Sequence, residues 1–224
     1  MSNRLPLGIP VFLSLALIPI ALGIASCRKS RFPPGLDDEL YDLEAMTLLP
    51  EDLPEGYVLL QEGGLDNEEF AVLFPTDAPD AKKRQLDALG RIGNYFVVFG
   101  WNEPVEHFGR PLSFTAQSTL YVDVAAALES LRTSCGLLVD DAARLEDFYV
   151  PGIADGAVGF SYSESQEVVG EAIELNVCFR TGRIVHAIAQ SGLEGTQDIA
   201  LSVRLAERML DHVEVAFAAG EGGG

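Results

Sequence analysis

An uncharged apolar run near the start of the chain constrains everything that follows it. The 22 residues of segment 5–26 carry no charged side chain, with Arg4 before them and Cys27 after them. A helix packed on a core has a polar face, and this run has none. It is long enough to cross a bilayer, and a basic residue before an apolar stretch is typical of an export signal. We therefore assign residues 1–26 to targeting or anchoring and not to the folded domain.

The end of this run resembles a bacterial lipobox. Ile24-Ala25-Ser26-Cys27 combines an apolar residue, two small residues and a cysteine whose thiol accepts the lipid. The resemblance predicts a lipoprotein signal peptide over 1–26 and attachment of palmitate-type acyl chains to Cys27. The alternative is an uncleaved membrane anchor, because the run is long for a signal and the three basic residues after it favour retention in the cytoplasm.

Charge is divided unevenly along the chain. Residues 1–32 hold four basic and no acidic side chains, whereas 33–224 hold 11 basic and 34 acidic ones, a net charge of −23. A body this acidic is repelled by phosphate backbones, which excludes sequence-independent nucleic-acid binding and favours a basic or cationic ligand or protein partner. Arg28, Lys29 and Arg31 add attraction to anionic headgroups, so that the membrane is the expected partner of the N-terminus.

Two cysteines remain once Cys27 is lipidated, and we predict that Cys135 and Cys178 form a disulfide in an oxidising compartment. Cys135 continues the apolar stripe of a helix that Asp123 can cap, and Cys178 lies in a predicted strand over 173–180. The alternative is a pair of buried free thiols, which is expected if the chain is not exported.

The rest of the chain divides into three parts. Residues 27–47 are predicted to be an acidic tether, 48–217 a globular domain and 218–224 a disordered tail. Apolar residues interrupt the acidic run of the tether, so that part of it is expected to dock on the domain. The acidic residues are Asp37, Asp38, Glu39, Asp42 and Glu44, and the apolar ones are Leu40, Tyr41, Leu43 and Met46.

Alternating apolar runs predict an α+β domain, in which helices flank a mostly antiparallel β-sheet (an α/β sandwich), preceded by the N-terminal signal or anchor helix. A two-residue turn at Thr181-Gly182 is expected to join the last two strands and to place Cys178 opposite Val185. Thr196 is expected to cap a final amphipathic helix. The predicted strands cover 57–61, 94–101, 113–122, 148–150, 158–162, 173–180 and 184–189.

No motif for catalysis, metal binding or cofactor binding is present in the sequence. His107, His186 and His212 lack zinc-ligand spacing, and His186 lies in an apolar alternation that is typical of a core histidine. Segment 159–163 lacks the second glycine of a nucleophile elbow. We therefore predict no catalytic, metal or cofactor-binding residues, and we favour a binding module over an enzyme.

Three aromatic residues lie on one face of a predicted strand. Tyr95, Phe99 and Trp101 alternate, whereas Phe96 and Val98 face the other way. A two-sided core is one interpretation of this pattern. The other is an aromatic lining for a cleft that binds an apolar or cationic ligand.

Four segments are similar to those of uncharacterised bacterial surface lipoproteins. They are Leu48–Tyr57, with its LP-x-G-aromatic opening, Gly90–Tyr95, Ala154–Val158 and Cys178–Val185. Domains of this kind resemble the PsbP-type α/β sandwich or the extracellular sensor domains of bacterial kinases. The resemblance implies a fold and an extracytoplasmic location, and it brings no catalytic residues.

The combined prediction is a membrane-anchored exported lipoprotein, which acts as a binding or interaction module at the cell surface. Two other functions stay open. One is a secreted hydrolase whose active site is assembled from dispersed residues, and the other is an uncleaved single-pass membrane protein that acts as a scaffold.

Overall fold

The computed structural model describes residue 32 and residues 36–73, 78–101, 109–133, 135, 146–166 and 170–221. The predicted signal or anchor helix, Cys27 with its basic neighbours, and His107 lie outside the described residues. No helix within the described ranges is long and apolar enough to cross a membrane. In chain order the elements are β1 (Tyr57–Leu65), α1 (Asn67–Leu73), α2 (Pro79–Ala88), β2 (Arg91–Trp101), β3 (Ser113–Tyr121), α3 (Val124–Arg132), β4 (Glu146–Phe148), β5 (Ala157–Gln166), β6 (Gly170–Thr181), β7 (Ile184–Leu193) and α4 (Ile199–Glu221).

The seven described strands form one sheet in the order β1-β2-β3-β7-β6-β5-β4. Every neighbouring pair in it is antiparallel. β7 lies between β3 and β6, so the last strand of the chain joins the β1–β3 half of the sheet to the β4–β6 half. The predicted α+β fold with an antiparallel sheet and flanking helices is confirmed.

Helices lie on both faces of the sheet, because its strands carry apolar side chains on both sides. α4 covers one face, where it buries Leu205, Ala206 and Met209, and α3 packs on the other through Ala127 and Leu131. The strand residues under α4 are Val97, Phe99, Phe114, Ala116, Leu175, Val177, Phe179 and Ile188. Those that pack with α3 are Phe160, Cys178, Val185 and Ala187.

Cys135 and Cys178 form the predicted disulfide, with their Cα atoms 6.1 Å apart, and both are buried on the α3 side of the sheet. Asp123 caps α3 as predicted, since its Oδ1 accepts a hydrogen bond from the Ala126 N–H at 2.8 Å. The helix ends at Arg132, however, and Cys135 follows it with a left-handed φ of 60°. The bridge therefore joins the segment after α3, and not the helix itself, to the sheet.

The β6–β7 hairpin is as tight as predicted, but its register differs by two residues. The turn residues are Gly182 and Arg183, one position later than expected, and Gly182 has the left-handed φ of 57° that such a turn requires. Cys178 consequently lies opposite Ala187 and not opposite Val185. A slip of two residues leaves each side chain on its own face, so the apolar pattern does not distinguish the two registers.

The N-cap of α4 also differs from the prediction. The Oδ1 of Asp198 accepts a first-turn backbone N–H at 2.8 Å, whereas the hydroxyl of Thr196 donates to the Leu193 carbonyl at 2.8 Å. Thr196 lies too early to cap a helix that begins at Ile199. At its other end α4 continues to Glu221, and the last three residues of the chain lie outside the described ones.

Removal of the disulfide is expected to destabilise the domain strongly. The bridge joins residues 43 apart in sequence, and a closed loop of this size restricts the unfolded chain by about 4 kcal/mol. We expect Cys135→Ala/Cys178→Ala to lose that much free energy of unfolding in a urea titration. The wild-type protein unfolded in a reductant should lose the same amount. A loss under about 1 kcal/mol would show that the bridge does not restrict the unfolded chain in this way.

Candidate functional site: an acidic pocket beside the strap

The candidate site lies at one end of the sheet. The antiparallel register brings together the first or last residues of five strands there. They are Leu65, Arg91, Tyr121, Thr181 and Ile184. We call this the strap end, after the segment that packs across it.

The strap comprises residues 36–47, a part of the predicted acidic tether. Tyr41 and Met46 are buried in one cluster with Phe32. The ring of Phe217, near the end of α4, lies 5.3 Å from that of Phe32 and 6.0 Å from that of Tyr41. The apolar side chains that interrupt the acidic run therefore dock this segment on the domain. The remaining buried members of the cluster are Leu120, Ile184 and Val213.

Arg183, at the tip of the β6–β7 hairpin, holds the strap in place. Its buried guanidinium donates to the Leu36 carbonyl at 2.7 Å, the Tyr41 hydroxyl at 3.1 Å and the Tyr121 carbonyl at 3.2 Å. The same group lies 2.6 Å from Oδ1 of Asp38 and 4.6 Å from the centre of the Tyr41 ring. Burial lowers the pKa of Arg183, but the hydrogen bonds with Tyr41 and Asp38 outweigh it and raise that pKa above its ordinary value. Charge-assisted bonds of this kind fix both position and orientation.

An open pocket of about 580 Å³ lies between the strap and the start of α3. Four of its lining side chains are carboxylates and one is the guanidinium, so the lining has a net charge of −3. Asp38 is paired with Arg183 and Asp123 caps α3, whereas Asp37 and Glu39 are exposed. The lining residues are Leu36, Asp37, Asp38, Glu39, Val122, Asp123 and Arg183.

The chemistry of this pocket suits an organic cation. Leu36 and Val122 provide apolar wall beside the carboxylates. An ammonium or guanidinium group on a hydrocarbon stem fits both kinds of surface, because its stem packs on apolar side chains while its head stays near the acids. In the part of the chain that the structure describes, no group of three or more His, Cys, Asp or Glu side chains is arranged to hold a metal ion.

The aromatic residues predicted as a ligand cleft are not among those that line the pocket. Phe99 has no exposed surface and belongs to the core under α4. Trp101, at the far end of β2, packs 4.5 Å from the ring of Tyr57 and donates its indole N–H to the Pro111 carbonyl at 2.9 Å. Tyr95 is half-buried and packs against the same core. These are contacts of core packing, and a ligand cleft at these residues stays a prediction.

His186 lies in a fully buried polar cluster beneath the strap. Its Nδ1 is 2.9 Å from the Ser118 hydroxyl, and its Nε2 is 2.7 Å from the Thr181 hydroxyl. The Ser118 hydroxyl donates to the carbonyl of Met46 at 3.2 Å, and the imidazole stacks on Phe179 at 4.7 Å. Burial lowers the pKa of His186 to about 3, so the ring is neutral at physiological pH. This is the core histidine that the sequence pattern predicts.

The hydrolase alternative requires a histidine within reach of both a serine and an acid. His186 contacts Ser118, but Thr181 occupies the place of the acid, and none of the three side chains has surface that a substrate can reach. His212 contacts the carboxylate of Asp52 at 3.1 Å, and His107 lies outside the described residues. The geometry around His186 therefore gives this alternative no support.

Sequence reasoning missed the pocket. It placed Asp37, Asp38 and Glu39 in a tether and gave Arg183 no role apart from the hairpin. One signal was available, since apolar side chains within an acidic run indicate docking, and a docked acidic run needs a basic partner. Nothing in the sequence identifies Arg183 as that partner, because it lies 142 residues from Tyr41.

Comparison with known proteins places the fold. No family model matches the chain, and no curated protein matches it. Among solved structures, the extracellular domain of PknH from Mycobacterium tuberculosis is similar, with a TM-score of 0.52 and 10% sequence identity. The match covers 82% of this chain and 99% of the PknH domain. The two chains thus share a fold, which agrees with the resemblance to extracellular domains drawn from the sequence.

The buried imidazole predicts a specific dependence of stability on pH. In the unfolded chain His186 takes up a proton below its ordinary pKa of 6.5, whereas in the folded protein it stays neutral down to about pH 3. Folding stability is therefore highest above pH 6.5 and falls as the pH drops, by about 1.4 kcal/mol per pH unit. Between pH 7 and pH 5 this histidine alone should remove about 2 kcal/mol.

Urea unfolding of the wild type and of His186→Gln at both pH values isolates this effect. Gln keeps a hydrogen-bonding side chain but does not titrate, and the acidic residues of the body contribute equally to both proteins. We expect the wild type to lose about 2 kcal/mol more than the variant on going from pH 7 to pH 5. Equal losses would contradict a neutral, buried imidazole.

Proposed function

We propose that this protein is an exported, membrane-attached binding module that recognises a cationic group at the cell surface through the acidic pocket. The observation that carries the proposal is the pocket itself. Four carboxylates and one guanidinium line it, and Asp38 pairs with that guanidinium at 2.6 Å. A net negative, partly apolar cavity on the surface attracts an organic cation.

Export and attachment are supported by three independent features. The lipobox-like sequence that ends at Cys27 completes an uncharged run. Cys135 and Cys178 are paired, as in proteins of oxidising compartments. The fold is that of an extracellular domain from another protein. A lipid together with basic residues supplies the two signals that stable anchoring requires.

The charge of the whole domain adds to that of the pocket. Residues 33–224 carry a net charge of −23, so that cations experience attraction before they reach any specific contact. Exposed carboxylates such as Asp37 and Glu39 are screened by salt, and binding through them weakens as ionic strength rises. The affinity of the pocket for a cation is therefore expected to depend steeply on salt.

Neutralising the exposed acids of the pocket is expected to weaken cation binding. We would titrate the full chain with spermidine, a soluble organic cation, by isothermal calorimetry at low salt. Asp37→Asn/Glu39→Gln leaves the contacts of Arg183 intact and removes two carboxylates from the lining. Each exposed charge contributes up to about 1 kcal/mol, so the double variant should bind about tenfold more weakly.

A control variant with the same change of net charge separates the pocket from the general field of the domain. Glu194 and Glu207 are exposed and lie outside the pocket lining. Glu194→Gln/Glu207→Gln should leave spermidine binding within about twofold of the wild type, since these groups act only through the screened field. If both double variants lost affinity equally, the binding would be non-specific and the pocket would have no part in it.

A further inference from the structure

We propose that the strap end of the sheet faces the surface of the lipid bilayer, with Leu40 and Val122 among the side chains nearest to the headgroups. This inference rests on the proposed membrane attachment and adds an orientation to it. It follows from where the chain leaves the described structure, how short the connection to Cys27 is, and which side chains are exposed at that end.

The connection between Cys27 and the domain is short. Phe32 is buried at the strap end, against the ring of Phe217 at 5.3 Å. It follows Cys27 by five positions in the sequence, and a fully extended chain of that length spans at most about 18 Å. Had all of 27–47 been a free tether, the reach would have been about 70 Å. A lipidated Cys27 thus keeps the strap end close to the membrane.

The docked strap fixes the domain end of this short connection. Phe32 and Tyr41 pack on Phe217, and Arg183 binds the strap at Leu36 and Asp38. Phe32, the described residue nearest to Cys27, is therefore part of the folded body. Within α4, Ile199 lies 18 positions before Phe217, which corresponds to about 27 Å along the helix axis. The first turn of α4 is therefore well away from the strap end.

Two large apolar side chains are exposed at the strap end. Leu40, in the strap, is 62% exposed, and Val122, which follows β3, is 57% exposed. Val122 is fixed in place because its N–H donates to the Gly90 carbonyl at 2.8 Å, and it also forms part of the pocket lining. The pocket consequently opens beside the membrane.

Basic side chains next to Cys27 offset part of the negative charge at this end. Between Cys27 and Leu40 three basic residues offset three acidic ones, and the rest of the strap adds Asp42 and Glu44. The basic side chains come first, next to the lipidation site, where they meet headgroups. Since Cys27 precedes Phe32 by only five positions and Phe32 is buried at this end, the occupant of the surface is the bilayer itself. The charged residues between Cys27 and Leu40 are Arg28, Lys29, Arg31, Asp37, Asp38 and Glu39.

Depth-dependent fluorescence quenching on the full chain in liposomes tests the orientation. In a lipidated, disulfide-bonded protein all three native cysteines are occupied, so a newly introduced cysteine is the reactive one. We would attach the same dye to Val122→Cys and to Ile199→Cys, which replace exposed apolar residues at opposite ends. The liposomes are phosphatidylcholine with a fraction of lipid that carries a nitroxide on its headgroup. The loss of fluorescence at position 122 should be several times larger than at position 199.

Equal quenching at the two positions, or stronger quenching at 199, would overturn the proposed orientation. Leu40→Cys serves as a second probe of the strap end if Val122→Cys does not fold, and it should match the result expected at 122. Flotation of the wild-type chain with the same liposomes tests attachment by itself. A wild-type chain that does not float overturns both proposals, whereas a chain that floats without a difference between labels overturns the orientation alone.

Discussion

The buried guanidinium of Arg183 is the interaction on which the functional end of this molecule depends. A charge removed from water is unfavourable unless it is paired and its donors are satisfied, and here a carboxylate, two carbonyls and a hydroxyl meet that condition. Three of these partners lie in the strap, and they are Leu36, Asp38 and Tyr41. The same bonds that satisfy Arg183 therefore hold the strap on the domain, and with it one wall of the acidic pocket.

The rest of the fold positions Arg183 and the strap next to each other. An antiparallel hairpin with a two-residue turn projects Arg183 beyond the sheet, and β7 sits in the centre of the sheet between β3 and β6. α4 starts at the far end of the molecule and returns to the strap end, where Phe217 closes the cluster around Phe32 and Tyr41. The disulfide stabilises the other face independently, because Cys135 and Cys178 pack with α3.

Local sequence patterns predicted the strands, the start of α3 and the disulfide. Alternation of apolar residues gave the strands and their faces, Asp123 marked the start of α3, and the even number of remaining cysteines indicated the bridge. The register of the β6–β7 hairpin was wrong by two residues, because turns at 181–182 and 182–183 leave the same side chains on the same faces. The cap of α4 was wrong for a related reason, since Thr196 and Asp198 are both good capping residues and only the helix start decides between them.

The candidate site was harder to predict, because its residues meet only in three dimensions. Arg183 lies 147 residues from Leu36, and in sequence each belongs to a segment with an ordinary local role. In sequence the acidic run resembles a solvated linker, as most such runs are. In the structure Tyr41 and Met46 within it are buried. The alternation of Tyr95, Phe99 and Trp101 in β2 was compatible with either a core or a cleft, and Phe99 is fully buried in the core.

Hydrogen exchange of the strap amides in wild type and in Arg183→Lys tests the central claim most directly. Lysine keeps the charge but loses the planar fork that contacts several acceptors at once. Loss of one such charge-assisted bond should raise exchange at Tyr41 and Thr47 by about tenfold or more, while the amides of β6 and β7 keep their protection. Unchanged exchange in the strap, or an equal rise throughout the sheet, would contradict the account that Arg183 holds the strap and shapes the pocket.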